Sequence, residues 1–350
     1  MKSRSRFDGF RYAGRWNRAF LLPGNRLFLG GIALVLASLL LASCASDYCN
    51  RPPQRTIRGQ VVDADGHAVG GVVVRVSDRP VGVTDEKGAF LIRVAAPADR
   101  LAVSFIASKF VPTTRIISAR ADGGGTVVVV WPRAASARLD AGAGGKLEFP
   151  GAAITFPPDA FVDMSGRRVT GDVAVSLSAV DVKDPRQLAS APGDFTARMR
   201  DGSVRSLETF GLFELDITDP AGRNVQFAPG RAARVDLTAP KQRRDLPPSV
   251  GSFSFDARDG RWIPQGRFEL APGPIISAPV DAAGWWNADQ PYDTTCLKVQ
   301  VLGCNGCEGT PGRVSGALVT ATGSDYVGAP SIGRRMQTAS SASPQKRRRS

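Results

Sequence analysis

The chain has 350 residues, 43% of them hydrophobic, and 45 Lys and Arg against 32 Asp and Glu, a net charge of +13 with a single histidine. One imidazole rules out a zinc site built on several histidines and makes any Ser-His-Asp or Cys-His arrangement depend on His67. The basicity sits at the ends: residues 1–43 hold seven cations against Asp8, residues 333–350 hold six and no acid, and the remainder nets +1, so the body lacks the clustered cations of a nucleic-acid surface.

In chain order, the first element is Leu27 to Leu41, an uncharged run of 15 residues behind Lys2, Arg4, Arg6, Arg11, Arg15, Arg18 and Arg26. A helix needs about 20 apolar residues to span a bilayer, so this run suits a secretory signal helix with its cationic flank on the cytoplasmic side. It ends on Leu41-Ala42-Ser43-Cys44, which resembles the lipobox of bacterial lipoproteins. That resemblance implies cleavage before Cys44 by the lipoprotein signal peptidase. It also implies a diacylglycerol on the Cys44 sulfur and a fatty chain such as palmitate on the new amino terminus. Two or three such chains hold a bilayer stably where one does not. Ala45 in place of an aspartate implies sorting to the outer membrane of the bacterial cell envelope. Residues 44–53 then read as a tether, and the nine after Cys44 reach at most about 30 Å.

After the leader, valine-rich runs of four to eight residues are punctuated by Gly, Asp and Pro, with 38 Gly and 25 Pro in the chain. This predicts an all-β protein of tandem sandwiches, of immunoglobulin or transthyretin type. In residues 54–132, Gly59, Val61, Asp63, Gly66, Val69, Gly71, Val74, Thr84, Asp85, Gly88 and Phe90 resemble the carboxypeptidase regulatory-like domain. The resemblance implies a sandwich of about seven strands that carries no catalytic residues. Residues 137–290 open with AGGKLEFPGAAITFPPDAF and are similar to the ZU-type β domain. Some ZU-type domains cut themselves at His-Phe-Ser; here the segment before the paired tryptophans reads Ala282-Ala283-Gly284, so self-cleavage is not expected.

A third unit, 294–332, parallels the first: Val314, Gly316, Leu318 and Val319 fall where Val69, Gly71, Val73 and Val74 fell. It reads as an incomplete second regulatory-like domain, and the basic tail 333–350 as disordered. A shifted reading frame across Arg334 to Lys346 can spell the missing Thr-Asp-x-x-Gly-x-Phe motif, which points to a frameshift near residue 332. Export favours disulfides among Cys49, Cys296, Cys304 and Cys307, with three connectivities open.

Asp63, Asp65 and Gly66 superficially match a calcium loop, but Val74 stands where its twelfth-position acid belongs, so turn-forming aspartates are the expectation. Trp285 and Trp286 could form a stacking platform for sugars; packing in a core or junction is the commoner fate of such a pair. No metal-ligating set, cofactor loop or catalytic constellation emerges. The sequence therefore predicts a non-catalytic, lipid-anchored envelope protein whose β-sandwiches serve adhesion, scaffolding or ligand binding, with an envelope protein or polysaccharide as partner. The alternative is an accessory carbohydrate- or peptide-binding subunit of an envelope enzyme or transporter. A hydrolase using carboxylates from different loops ranks third. An exposed tryptophan platform, a cleft with two facing acids, and a closed body with buried tryptophans would separate the three.

Overall fold

The computed structural model describes residues 54–95, 100–118, 125–239 and 246–303, and four short strands beyond them, 312–313, 318–321, 331–334 and 342–346. The leader with Leu41, Ala42, Ser43 and Cys44, the tether with Cys49, and Cys304 and Cys307 lie outside these residues. The described chain is all-β, built of layered sheets, and its one helix, α1 (Pro185–Leu188), has four residues. Among the described residues no helix is long and apolar enough to cross a membrane.

Seven strands make the first pair of layers: β1 (Gln54–Val62), β2 (Val73–Val76), β3 (Arg79–Val83), β4 (Ala89–Ala95), β5 (Arg100–Ile106), β6 (Thr113–Ser118) and β7 (Thr126–Val129). They form a three-stranded sheet, β4-β1-β7, and a four-stranded sheet, β3-β2-β5-β6. The period of two along a strand decides what is buried. In β4, Phe90, Ile92 and Val94 point inward and Leu91 and Arg93 outward. Phe90 meets Phe105 edge-on across the sandwich at 5.1 Å, and Val61, Val74, Val103 and Val128 close the core around them.

Strand β1 is central because Gly59 lets both neighbours approach. A Cβ there would stand 2.1 Å from the Thr126 carbonyl oxygen and 2.7 Å from the Phe90 ring. Gly59→Ala should therefore force β7 or Phe90 to move, lowering stability by about 1–3 kcal/mol. A urea midpoint unchanged from wild type would show that the site has slack.

The second layer system is one 11-stranded sheet. Its strands are β8 (Ala137–Asp140), β9 (Gly145–Phe149), β10 (Ala152–Phe156), β12 (Asp172–Val180), β13 (Thr196–Arg198), β14 (Val204–Thr218), β16 (Ala233–Thr238), β17 (Ser249–Asp256), β18 (Arg261–Ala271), β19 (Ile275–Val280) and β20 (Gly284–Tyr292); the short strands β11 (Phe161–Val162) and β15 (Gln226–Phe227) pair only with each other. The main path runs β8-β12-β14-β20-β17-β18-β19-β16-β10-β9. Laid flat, its nine spacings of about 4.8 Å would put β8 and β9 about 43 Å apart. Yet these edge strands are consecutive in the chain, and the five Cα steps from Asp140 to Gly145 span at most about 19 Å. The sheet must curl until its edges approach. The interior of this roll is filled by Ile154, Leu177, Phe213, Leu215, Phe268 and Trp286, among others.

β14 is buried on both faces along most of its length. A bulge between Thr209 and Gly211, opposite β20, shifts its register. Because of that extra residue, Leu207 and Leu212 share the outer face while Phe210, Phe213 and Leu215 line the interior.

Six strands follow: β21 (Thr294–Lys298), β22 (Leu302–Gly303), β23 (Gly312–Arg313), β24 (Leu318–Ala321), β25 (Ser331–Arg334) and β26 (Ala342–Lys346). They pair as β21-β26, β22-β23 and β24-β25. Part of the tail expected to be disordered is thus strand. Cys296 faces Pro344 in the β21-β26 register, and Leu318 faces Arg334. Ladder hydrogen bonds are made by the main chain, so an open edge accepts a polar, basic segment that no hydrophobic pattern would nominate.

Candidate functional site

Polar side chains from several elements meet at the seam between the four-stranded sheet of the first sandwich and the outer face of the large sheet. Its apolar centre is Val111 packed with Leu207, Leu212, Phe253, Trp262 and Trp285. The segment Asp181 to Phe195, between β12 and β13 and carrying α1, closes over it: Val182, Ala191 and Phe195 join the same cluster. Trp262 is fully buried and meets Phe255 edge-on at 5.1 Å.

Polar bonds at the seam run from one layer to the other. Arg115, the third residue of β6, donates to the Ala191 carbonyl at 2.6 Å, to the Val129 carbonyl at 3.2 Å and to the Ala189 carbonyl. Thr113 Oγ1 donates to the Ser190 carbonyl at 2.7 Å, and the Gly193 amide donates to the Thr114 carbonyl at 2.8 Å. Arg100 binds Asp194 and, at 2.7 Å, the Gly260 carbonyl. Burial of the Arg115 guanidinium lowers its pKa to about 10, which still leaves it charged at neutral pH.

The connection out of the first sandwich is fixed as well. Arg133 Nη1 sits 3.2 Å from Glu214 Oε1 and 2.9 Å from Asp216 Oδ2 on β14. The Ala134 amide donates to Ser178 Oγ at 2.9 Å, and Ser176 Oγ donates to the Ala134 carbonyl at 2.8 Å. Burial pushes the Glu214 carboxyl up to about 7, against the opposing pull of Arg133.

The paired tryptophans are not a platform. Consecutive strand residues face opposite ways, so Trp286 enters the interior of the roll and Trp285 enters the seam. They are 2% and 7% exposed. The Trp285 indole N–H donates to the Pro112 carbonyl at 2.6 Å and that of Trp286 to the Ala282 carbonyl at 2.9 Å. Two aromatic faces on opposite sides of one strand cannot stack on a single sugar.

Two buried acids escaped the sequence. Asp289 is fully buried on β20, its Oδ2 accepting from Asn287 Nδ2 at 2.6 Å, while Thr209 Oγ1 donates to Asn287 Oδ1 at 2.6 Å. Burial raises its pKa well above the ordinary carboxylate range. Glu208 is 2% exposed on the neighbouring strand. Thr209, not Glu208, stands opposite Asp289 in the register, so strand alternation sends the two carboxylates to opposite faces. A sealed pair of that kind cannot act as the two facing acids of a hydrolase. No signal in composition marks them, because acids on strands normally face water.

A cavity of about 400 Å³ opens beside the bulge, walled by Val180, Phe210, Leu212 and Leu237. Its acid is Asp181 and its base Lys183, so it holds neither two carboxylates nor an imidazole.

Asp63, Asp65 and His67 bring ligand atoms within 4.8 Å of one another, but the same corner with a basic residue at its fourth position is built three times. Asp63 Oδ1 accepts from the amides of residues 65 and 67, Asp163 Oδ1 from those of 165 and 167, and Asp219 Oδ1 from those of 221 and 223. Gly66, Gly166 and Gly222 take φ of +87°, +81° and +75° at the third position after each aspartate. The side chain at the fourth pairs with the same carboxylate: His67 at 3.2 Å, Arg167 at 2.9 Å and Arg223 at 2.7 Å. Where an arginine replaces the histidine the turn is unaltered, so these aspartates shape hairpin corners. Of the cysteines predicted to pair, only Cys296 falls within the described residues.

No protein-family model matches the chain. Over 247 residues it is 28% identical to cartilage intermediate layer protein 2 of Mus musculus, covering 66% of this chain and 21% of that protein. Over 310 residues it is 26% identical to the Homo sapiens protein of the same name, covering 82% and 27%. Cartilage intermediate layer protein 1 of Mus musculus is 23% identical over 247 residues. The chain spans between a fifth and about a quarter of the length of these curated relatives. Among solved structures, BcpA, the major pilin subunit of Bacillus cereus, aligns over 84% of this chain and 96% of its own at 10% identity, with a TM-score of 0.20. A superposition that poor carries no argument about fold or function.

Two outcomes test the seam. Arg115→Met should leave carbonyls of the 189–191 segment without donors, lowering stability by about 2–4 kcal/mol and speeding proteolysis within 181–195; unchanged cleavage would show that the segment is held by apolar contact alone. The Glu214 effect has a defined sign. The unfolded carboxyl releases its proton near pH 4.5 and the folded one near 7. This group's contribution is therefore full below about pH 4.5, falls as pH rises to about 7, and is flat beyond, a loss of about 3 kcal/mol. Glu214→Gln should remove that slope from denaturation measured between pH 4.5 and 8, and an unaltered slope would assign it elsewhere.

Proposed function

We propose that the protein is a non-catalytic, lipid-tethered component of a bacterial cell envelope, and that its β-sheets form a firm body for adhesion or scaffolding. The observation that carries the non-catalytic half is the state of the candidate groups. Both tryptophans of the pair are buried, the two core acids are sealed on opposite faces, and His67 is an exposed corner residue paired with Asp63. These states remove the tryptophan platform and the buried acids as candidates. The first sandwich and the large sheet are also bonded across their seam, which suits a body that transmits load. The relatives are named for the intermediate layer of cartilage, a name in keeping with a structural role.

The tethered half rests on Leu41-Ala42-Ser43-Cys44 behind the apolar run. Grown with an alkynyl fatty acid, cells making the wild-type chain should yield a labelled protein in the membrane fraction. Cys44→Ala should abolish the label and release the protein or leave its leader uncleaved. A wild-type chain that takes up no label and starts at another residue would remove the anchor from this account. Cross-linking and co-purification from the membrane fraction would then identify what the body holds.

A further inference from the structure

The two outer faces of the first sandwich have different fates. The four-stranded sheet is covered along β5 and β6, where Arg100, Thr114 and Arg115 bond to the large sheet and its α1-bearing segment, and open at β3, where Val83 is 60% exposed. The face of β4-β1-β7 carries Leu91 and Val127, which are 62% and 63% exposed, among the most exposed large hydrophobics of the described residues. Arg58 stands beside Leu91 in the register, Gln60 beside Val127, and Arg93 beside Thr56. The three strands, QRTIRGQVV, AFLIRVA and TVVV, contain three arginines and no acid.

We propose that this face rests on an anionic lipid surface, with Arg58 and Arg93 on headgroup phosphates and Leu91 and Val127 entering the glycerol region. Interfacial protein surfaces combine these two features, apolar side chains for the acyl boundary and cations for the charge above it. Charge also selects this occupant over a second copy of the chain. Two such faces in contact would oppose arginine to arginine with no carboxylate between them. Chain length agrees, because β1 begins ten residues after Cys44 and a tether of at most about 30 Å keeps this sheet within reach of the bilayer. For that proximity alone the inference rests on the tethered function proposed above.

The test uses the chain from residue 44 onward, which holds every described residue, with Cys44→Ala so that no acyl chain contributes. Sedimentation with phosphatidylethanolamine vesicles, with and without phosphatidylglycerol, should show binding that depends on the anionic lipid and weakens with salt. A basic side chain near such a surface contributes about a fivefold factor, so Arg58→Gln/Arg93→Gln should weaken binding about 25-fold. Leu91→Ser/Val127→Ser should also weaken it. Arg267→Gln, on the large sheet, should not; this control and the double variants keep the basic tail in common. Equal binding by wild type and both double variants would assign any vesicle affinity to the tail and overturn the proposal. Self-association abolished by Leu91→Ser would overturn it in favour of a dimer face. Neither result bears on Cys44, whose modification is read separately by fatty-acid labelling.

Discussion

The guanidinium of Arg115 is the interaction on which the arrangement of layers turns. Carbonyl groups at 189 and 191 would be costly to bury without donors, and one planar cation reaches both while also holding the last residue of β7. A lysine has three donors on a single nitrogen and could not fork between carbonyls so placed. The charge is retained because it is solvated by protein dipoles instead of water, which is why burial lowers its pKa without neutralising it. Around it, Thr113, Gly193 and Trp285 add bonds of the same kind, each from a group on one side to a main-chain atom on the other. The seam therefore specifies position as well as supplying apolar contact.

That precision explains how two different kinds of β architecture behave as one body. The first sandwich is small, and by itself would bury one core between two sheets of modest area. The large roll buries a second core inside itself and presents Leu207, Leu212 and Phe253 outward. Neither element has a fully polar exterior, and each covers the other's apolar face. The bulge in β14 decides which of its side chains face which core: with one residue added, Leu207 and Leu212 both face the seam although five positions separate them.

Much of the fold was legible because it follows from period two and from turn chemistry. The alternation Phe90, Ile92, Val94 marks β4, and each Asp-x-x-Gly stretch marks a corner. The burial of Trp286 could also be read in advance, since adjacent strand residues must diverge. What could not be read depends on long-range registry. The shift at Thr209 and Gly211 has no local signature strong enough to assign the faces around it, and nothing in the sequence marks Glu208 and Asp289 as buried. Arg115 sits in a strand sequence, TTRIIS, where an outward arginine is the default; only the segment arriving from residues 189–191 makes it internal. The strand at Ala342 to Lys346 was missed for a related reason, because ladder pairing asks nothing of side chains.

The nesting of strands in the roll also sets an order of assembly. β20 lies between β14 and β17, so until residue 292 has been made the two parts of the sheet meet only through the three-residue β13, which pairs with β14 and β18. A chain made from its amino terminus could complete the first sandwich early. The larger half would stay open until nearly all of its sequence had emerged. The larger sheet is thus the last part of the body to lock.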